Sequence, residues 1–465
     1  MSGAAPITRR HFLGTAVAAG LALSAGRARA ARRRRAVVVG AGLAGLACAH
    51  ELERKRWDVV VLEARDRVGG RVWTIREPFG AAQHAEAGGE YVARSHRTLL
   101  GYARRLGLSL EDVRRGPDLD GVYFFGGRRR HEGAVLTQEV QAEIDRFWSR
   151  VEALGRRIDP ADPVAAGKAL DRRSARWFLN RLKLDPVARG LVEHDLRDEF
   201  TVEPENLSLL FLAQSAKLSG VEALRIRGGN DQLPLAIAGS LRREVLLEAP
   251  VRKVERSASG VTVTAGGDRW KADACVLAVP VPALRGIELV PELSAGLQRA
   301  VDELRYGHGT KTLLQYERRF WRERRESGDV LTDLKVQTVW EATDRQRGKP
   351  GVLLGYTTGH NGILYGSVGD GARILLAADE IDDVYPGSRA LLDVGATAAW
   401  HNDGYSGGTY TAYAPGQVTL FWRVLRKPVG RMYLAGEHAD AYTGTMEGAM
   451  RSGRRIAAVV DTRGR

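Results

Sequence analysis

Cysteine and methionine are scarce in this chain, and the scarcity limits how the fold can be cross-linked. Among 465 residues there are two cysteines and four methionines. Cys48 falls within a predicted helix and Cys275 begins a buried apolar run, so we expect two small core residues and no disulfide. Histidine, cysteine and acidic residues nowhere recur at the spacing of a metal site, and we predict no bound metal.

Long apolar runs are also missing, and a membrane-spanning helix needs about 20 such residues. The apolar stretch 15–26 is too short; Arg9 and Arg10 precede it, and an A-x-A tripeptide ends at Ala30. This pattern is similar to a twin-arginine export signal. We therefore expect residues 1–30 to be removed and the mature protein to be periplasmic or secreted, without stable membrane insertion. The alternative is a basic, disordered tail.

Acidic residues are absent from the first 35 positions, which hold eight arginines. Without those eight charges, the formal net charge falls from +14 to +6 for the chain from Ala36 onward. Cleavage after Ala30 would remove four of the arginines, retain the run 32–35 and leave +10. That run lacks the interleaved aromatic residues on which bases stack, so we predict a solvated stub and no nucleic-acid partner.

The chain is long enough for two substantial domains, and its 44% hydrophobic content is ordinary for a globular protein. One of these domains begins with residues 36–73. The apolar run 37–39 is typical of a strand buried on both faces, and the apolar positions of 43–56 follow a helical period. Residues 59–62 return to the strand pattern. The sequence therefore predicts a βαβ unit.

Three glycines and one acidic residue predict that this unit binds a dinucleotide. Gly40, Gly42 and Gly45 have the GxGxxG spacing. In that motif the first glycine allows a tight turn, the second lets the backbone approach a pyrophosphate, and the third allows close helix packing. The helix N-terminus adds unpaired N–H groups and the positive end of a dipole. Glu63 ends the second strand, where a carboxylate can accept hydrogen bonds from ribose hydroxyls.

The residues after Glu63 indicate which dinucleotide is bound. In the run EARDRVGGR, Arg65 and Arg71 flank a glycine turn at Gly69 and Gly70, and guanidinium groups pair well with a pyrophosphate. This run resembles the FAD-binding N-terminus of the flavin-containing amine oxidase family. The resemblance implies an α/β fold in which a Rossmann-like FAD-binding domain, built from three discontinuous segments, joins a mixed α+β substrate domain.

The resemblance also implies how the two domains share the chain. The FAD-binding domain is expected at residues 36–92, 223–300 and 400–465. The substrate domain is expected at residues 93–222, which should be largely helical, and at residues 301–399.

Further positions match cofactor contacts of the family. The resemblance implies that the following residues contact FAD: Gly88, Gly89, Glu90 and Tyr91 beside the flavin ring, Val251 at the adenine, and Gly436, Glu437, Thr445 and Met446 around the start of the last helix.

Three residues match the reacting end of the family's site. Lys311 opens an apolar strand that we expect to end at Phe320 and Trp321, an unusual place for an ammonium without a partner. It matches the family lysine that holds a water near the flavin N(5) atom, where a cation assists electron delivery to oxygen. Tyr410 matches one wall of the aromatic cage that orients the amine, and Trp400 lies on the same side.

Two positions depart from the family pattern. Thr409 stands where monoamine oxidases carry a cysteine bonded to the flavin, so we predict non-covalent FAD. Thr445 stands where the second cage tyrosine would be, as in the polyamine oxidase and demethylase branches. We count Thr445 with Lys311, Trp400 and Tyr410 among the catalytic residues, but this half-built cage does not identify the substrate.

One acidic group in the helical region has two interpretations. Asp195, Asp198 and Glu199 either line an entrance for cationic substrates or form a solvated helix face. The sequence leaves both open.

Together the motifs predict an FAD-dependent oxidase that converts a small amine into an imine, which water hydrolyses to a carbonyl product. Oxygen would be reduced to hydrogen peroxide. An L-amino acid oxidase is the nearest alternative, and it would need an arginine for the substrate carboxylate. A dehydrogenase with another electron acceptor and a non-catalytic flavoprotein that binds acidic polymers are further alternatives. The oligomeric state stays open, with a homodimer as one option.

Overall fold

The computed structural model describes residues 33–113, 119–218, 220 and 222–464, so the predicted signal at residues 1–30 lies outside the described residues. The strands are β1 (Arg35–Val39), β2 (Asp58–Leu62), β3 (Thr74–Ile75), β4 (Ala85–Glu86), β5 (Val92–Ala93), β6 (Leu110–Asp112), β7 (Asp120–Phe125), β8 (Arg128–His131), β9 (Glu222–Ile226), β10 (Val251–Arg256), β11 (Val261–Ala265), β12 (Asp268–Ala272), β13 (Ala274–Leu277), β14 (Glu288–Val290), β15 (Gly309–Tyr316), β16 (Glu326–Thr332), β17 (Thr338–Glu341), β18 (Gly351–Thr358), β19 (Leu392–Ala399) and β20 (Met432–Leu434).

Helices occur throughout the described chain. They are α1 (Leu43–Arg54), α2 (Arg97–Arg105), α3 (Glu132–Val135), α4 (Gln138–Gly155), α5 (Lys168–Asp171), α6 (Ala175–Leu182), α7 (Pro186–Phe200), α8 (Leu209–Leu218), α9 (Gln232–Gly239), α10 (Val281–Leu284), α11 (Ala295–Glu303), α12 (Phe320–Glu323), α13 (Gly359–Gly366), α14 (Asp370–Val384), α15 (Gln417–Leu425) and α16 (Met446–Arg463). Short 3-10 helices occupy Pro163–Ala166, Pro204–Asn206, Ser388–Leu391 and Glu437–Ala439.

A four-stranded parallel sheet in the order β2-β1-β13-β20 forms one half of the molecule. Its strands come from three separate stretches of the chain, one near each end and one in the middle. At its centre, Val38 lies opposite Val61 on one side and Val276 on the other. The apolar run of β1 is buried from Ala36 to Val39, because parallel strands covered on both faces place every side chain in the core.

The carboxyl ends of these parallel strands meet at one edge of the sheet, where ligands of open α/β sheets bind. Gly40 follows β1, Glu63 follows β2, and Ala278 follows β13 at this edge. The helix α16 begins beyond β20 and packs on α1, so closely that a Cβ at Gly453 would lie 2.1 Å from the carbonyl oxygen of Ala44. The last segment of the chain is therefore built into the first.

A seven-stranded sheet in the order β19-β15-β18-β17-β16-β7-β8 forms the other half. Its strand β15 is buried at every position, including Lys311, which lies opposite Tyr356 of β18 and Ala398 of β19. Helices α4, α7 and α8 pack nearby through a core that contains Phe147 and Phe211. The remaining strands form three smaller sheets in the orders β12-β11-β10-β14, β3-β4 and β5-β9-β6.

The strand that carries Lys311 is shorter than we expected. It ends at Tyr316, where both of its neighbours also stop pairing, and Phe320 and Trp321 open the short helix α12 instead. The prediction was wrong because apolar residues of a buried helix and of a buried strand look alike in sequence. The charged residues 317–319 separate the two elements.

Candidate active site

A cavity of about 940 Å³ opens at the edge of the parallel sheet and extends to the seven-stranded sheet. This volume lies at the upper end of the range for ligand pockets, about 300–1,000 Å³. The predicted site residues that line it are Gly40, Gly42, Glu63, Arg65, Gly70, Arg71, Gly88, Gly89, Glu90, Tyr91, Val251, Lys311, Trp400, Tyr410, Gly436, Glu437, Thr445 and Met446. Gly45 is the predicted site residue that does not line it.

The glycine turn after β1 forms the nucleotide end of this cavity. Gly40 has a φ of +99°, and its N–H donates to the carbonyl oxygen of Leu62 over 2.7 Å. A Cβ at Gly45 would lie 1.9 Å from the carbonyl oxygen of Gly40, so α1 reaches the turn because residue 45 has no side chain. Gly42 caps α1, and no atom lies within 4 Å of where its Cβ would be. That open side suits a pyrophosphate at the helix N-terminus.

Glu63 is buried at the tip of β2, where backbone groups fix its carboxylate. Its Oε2 accepts a hydrogen bond from the Ala41 N–H over 2.7 Å, and its Oε1 accepts one from the Arg65 N–H over 2.9 Å. Each carboxylate oxygen keeps a lone pair for a ribose hydroxyl. Val251 lines the cavity close by, because the Ala249 N–H donates to the Glu63 carbonyl over 2.8 Å. The Glu63 carboxylate and the glycine turn therefore fit a dinucleotide.

Arg65 and Arg71 also line the cavity, but each guanidinium already has a carboxylate partner. Arg65 pairs with Asp403. Arg71 donates from Nη1 to Glu437 Oε1 over 3.1 Å and to the Thr409 carbonyl oxygen over 2.7 Å. The two arginines thus tie the first segment of the chain to the last. Their contact with a pyrophosphate stays a prediction.

Lys311 is buried at the opposite end of the cavity and has a full set of acceptors. Its Nζ donates to Glu90 Oε2 over 2.8 Å and to the carbonyl oxygens of Gly88 and Glu86 over 3.1 and 3.2 Å. A buried charge needs such pairing to offset lost hydration. The sequence analysis placed Glu90 beside the flavin but did not identify it as the partner of Lys311.

Aromatic side chains form the wall around Lys311. Tyr410 shares a hydrogen bond with Tyr356, and burial raises the pKa of both phenols, so both stay neutral. The ring centroid of Trp340 lies 5.4 Å from the Lys311 Nζ. Trp400 donates from Nε1 to a backbone carbonyl over 2.8 Å, which fixes its ring at the cavity wall. Tyr356, on β18, is therefore a second tyrosine beside Tyr410 at this end of the cavity.

The two threonines that depart from the family pattern have engaged hydroxyls. Thr445 is the N-cap of α16: its Oγ1 accepts from the Gly448 N–H over 3.0 Å and donates to the Tyr442 carbonyl oxygen over 2.8 Å. The Thr409 and Thr201 hydroxyls are 2.6 Å apart. Thr445 thus contributes a helix N-terminus to the cavity and no aromatic face.

The acidic patch, defined by Asp195, Asp198 and Glu199, lies near the end of α7 and lines the cavity. Burial raises the pKa of Asp195 to about 6 and the pKa values of Asp198 and Glu199 to about 7. Asp198 accepts hydrogen bonds from the hydroxyls of Thr338 and Thr358. Among the described residues, nothing donates a hydrogen bond or an ion pair to the side chains of Asp195 and Glu199. This helix face therefore lines the cavity, where Asp195 and Glu199 are exposed and Asp198 is half-buried.

Some cavity residues gave no recognisable signal in the sequence. Tyr356 lies on the largely buried strand β18 and Trp340 on the short strand β17, and neither strand carries a recognisable motif. Glu152 and Arg252 also line the cavity, and the sequence analysis did not single them out. Only the pairing of β15 with β18, and of β18 with β17, brings the two aromatic residues to Lys311.

The cysteines and the possible metal ligands can be located in the described part of the chain. Cys48 and Cys275 are free and buried. Within the residues described, no group of histidine, cysteine and acidic side chains could hold a metal ion. None of the described helices combines the length and apolarity needed to cross a bilayer.

Known proteins resemble this chain over most of its length. A family model described as flavin containing amine oxidoreductase matches residues 43–461. A Mycobacterium tuberculosis protein provisionally named flavin-containing monoamine oxidase AofH is 31% identical over 447 residues, which are 91% of this chain and 96% of the relative. Human amine oxidase [flavin-containing] B is 28% identical over 444 residues, which are 90% of this chain and 85% of the relative.

A solved structure has the same architecture. Wild-type putrescine oxidase bound to putrescine superposes with a TM-score of 0.85 and 26% identity, over 93% of this chain and 99% of that chain. The predicted α/β fold and the predicted FAD cofactor are confirmed by these matches. Since the family match spans residues 43–461 and so includes Glu63 and the aromatic end of the cavity, the chain belongs to the flavin containing amine oxidoreductase family and is an enzyme of FAD-dependent amine oxidation.

Proposed function

We propose that this enzyme is an oxidase for small amines that carry a second positive charge, such as a diamine, with oxygen as the electron acceptor. The main support for this proposal is that two carboxylates on the cavity wall, Asp195 and Glu199, have no hydrogen-bond or ion-pair partner among the described residues. An ionised carboxylate without a counter-charge attracts a cation.

The distribution of charge in the cavity supports this choice of substrate. The cations Lys311, Arg65 and Arg71 each have a carboxylate partner. The carboxylates of the acidic patch have no cationic partner within hydrogen-bond distance in the described chain, apart from a 3.6 Å contact of Asp198 with His194. Burial lowers the pKa of His194 to about 4, so this imidazole is neutral near pH 7. The unmatched charge beside the aromatic wall is therefore negative.

The side chains of the chain have separate tasks in this reaction. Tyr356, Tyr410 and Trp400 orient the reacting nitrogen, which must be unprotonated to release a hydride from its α-carbon. The acidic patch holds the distant ammonium. When bound, FAD would supply the redox chemistry of hydride acceptance and oxygen reduction. Amine, oxygen and water would be converted into a carbonyl product, ammonia or a smaller amine, and hydrogen peroxide.

An amino acid oxidase fits this cavity less well. Its substrate carries a carboxylate, which the ionised acidic patch would repel. The test is peroxide release from the purified yellow protein with diamines, monoamines and amino acids of matched chain length. We expect turnover of diamines to exceed that of the others. Faster turnover of amino acids, or reduction of the flavin without peroxide, would overturn the substrate or the acceptor proposed here.

We propose further that FAD is held without a covalent bond. Thr409 supports this, because a threonine hydroxyl cannot form the thioether that a cysteine forms at this position of monoamine oxidases. Denaturation in acid should release all of the yellow colour into the supernatant. Flavin that remains with the precipitated chain would contradict the proposal.

We propose lastly that the enzyme is exported by the twin-arginine pathway and acts outside the cytoplasm. The pattern around Arg9 and Arg10 supports this, together with the A-x-A ending at Ala30. Replacing Arg9 and Arg10 by lysine should leave the folded, FAD-loaded enzyme in the cytoplasm. Unchanged location of this variant in cell fractions would refute export by this route.

A further inference from the structure

Glu90 contacts Lys311 directly and contacts two other residues with its second oxygen. One oxygen, Oε2, accepts from the Lys311 Nζ over 2.8 Å. The other, Oε1, accepts from Trp340 Nε1 over 3.0 Å and from Arg225 Nη1 over 3.3 Å. Arg225 in turn pairs with Asp344. Both oxygens of Glu90 therefore accept hydrogen bonds from donors on three different strands, β15, β17 and β9.

A second buried carboxyl, Glu86, lies on the same side of Lys311 but differs in charge. Burial raises the pKa of Glu86 to about 8, and its contacts are the Thr74 hydroxyl and the Asn230 N–H. Burial also acts on Glu90, but Lys311 and Arg225 outweigh it and lower its pKa. At pH 7 Glu86 is thus mostly protonated, while Glu90 is ionised.

The charged groups that face Lys311 can be counted from every strand around it. Glu90 faces it from the segment after β4, and Glu86 lies at the end of β4 itself. Tyr356 faces it from β18 and is neutral, since burial raises the pKa of this phenol. Glu90 is consequently the counter-charge of Lys311, and Arg225 has Asp344 as its own.

We propose that Glu90 is a positioning residue for Lys311: its carboxylate anchors the ammonium at the cavity wall and cancels its charge. The pair then presents a dipole, and not a net positive charge, to the flavin. This inference rests on the proposed function, because it places FAD in the cavity that Lys311 lines. It goes beyond that function because it identifies Glu90 as the residue that sets the electrostatic environment of Lys311.

The test is the midpoint potential of the bound flavin at pH 7, measured by reductive titration without any amine. Glu90→Gln removes a negative charge and should shift the potential to a more positive value, since the reduced flavin carries more negative charge. Lys311→Met should shift it to a more negative value. The double variant should return close to the wild-type potential, because the two changes remove opposite charges.

Two further variants separate charge from packing. Glu86→Gln is the matched control, because it replaces a carboxyl that is mostly protonated at pH 7, and its shift should be clearly smaller than that of Glu90→Gln. Glu90→Asp keeps the charge and should stay closer to wild type than Glu90→Gln does. If Glu90→Gln fails to bind FAD, the potential of Glu90→Asp can still be measured and compared with that of the wild type. Equal shifts for the two glutamine variants, or a double variant that keeps the shift of Glu90→Gln, would overturn the proposal.

The same titration distinguishes this inference from the proposed function. If the wild-type protein is colourless and does not take up FAD, both the proposed function and the role of Glu90 are refuted. A yellow protein that is bleached by diamines, but whose potential does not respond to Glu90→Gln or Lys311→Met, would remove only the role of Glu90.

Discussion

The hydroxyl of Tyr410 donates a hydrogen bond to the backbone carbonyl oxygen of Glu199 over 2.7 Å. This contact joins the aromatic wall of the cavity to the end of the helix that carries the acidic patch. A substrate oriented by Tyr410 would therefore lie near the end of α7. The contact spans 211 positions of the chain, and it couples the two features on which the proposed substrate depends.

Asp195→Asn and Glu199→Gln should weaken diamine oxidation selectively. A hydrogen bond to a charged group contributes about 1.5–3 kcal/mol, so kcat/KM for a diamine should fall about 10- to 100-fold, mostly through KM. For a monoamine of equal length, kcat/KM should change much less. Steady-state kinetics with both substrates is the measurement. Glu193→Gln on the same helix is the control, because Glu193 pairs with Arg176 and Arg189 and does not line the cavity.

The affinity for diamines should depend on pH through the acidic patch. Because burial raises the pKa of Asp195 to about 6 and that of Glu199 to about 7, these carboxyls are neutral below and charged above these values. KM for a diamine should therefore fall as the pH rises from 5 to 8. The trend should flatten in the Asp195→Asn, Glu199→Gln double variant. A wild-type KM that is constant over this range would exclude the patch as the ammonium site.

Activity should also rise with pH because the reacting amine must be unprotonated. This effect belongs to the bound substrate, so it should persist in monoamines and in the variants of the acidic patch. Rapid-mixing measurements of flavin reduction from pH 6 to 10 at saturating amine would record it. A flat profile would count against hydride release from a neutral amine.

Lys311→Met should slow re-oxidation of the flavin more than its reduction. A fixed positive group stabilises the negative charge that forms on oxygen, and loss of one such preorganised group costs about 10²- to 10³-fold in rate. Because Glu90 compensates the charge of Lys311, we expect the lower end of that range. Stopped-flow measurement of each half-reaction separates the two effects, and equal losses in both would remove the role given to Lys311.

Gly45→Ala should destabilise the protein and weaken FAD binding. Its Cβ would lie 1.9 Å from the carbonyl oxygen of Gly40, so the glycine turn and α1 must separate, at a cost of about 1–3 kcal/mol. Thermal unfolding with and without added FAD would measure this. Gly101→Ala in α2 is the matched control, because its Cβ would meet no atom within 4 Å and a helical alanine is about 0.5–1 kcal/mol better than glycine. A similar melting temperature for the two variants would contradict the packing role of Gly45.

Local patterns were sufficient for the nucleotide-binding half of the site. Gly40, Gly42 and Glu63 lie within one βαβ unit, so their spacing in sequence translates directly into spacing at the edge of the sheet. The buried strand at residues 37–39 was equally predictable, because strands covered on both faces are apolar on both. The resemblance of the later motifs to one family placed Lys311, Trp400 and Tyr410 at one cavity before any contact was known.

Local patterns did not identify the partners of those residues. Apolar residues at 320 and 321 suit a strand and a short helix equally, which is why the strand of Lys311 was predicted too long. The charges of Asp195 and Glu199 suit water and a cavity equally, so their environment depended on how α7 packs.

The sequence alone determined that the chain folds around a glycine turn and binds a dinucleotide, because those features arise between residues that are neighbours along the chain. The tertiary structure alone decided that Glu90 neutralises Lys311, that Tyr356 accompanies Tyr410, and that the carboxylates of α7 line the cavity. These are contacts between side chains separated by tens to hundreds of residues. Their energies depend on burial and on the distance between charges, and both quantities exist only once the separate segments have packed together.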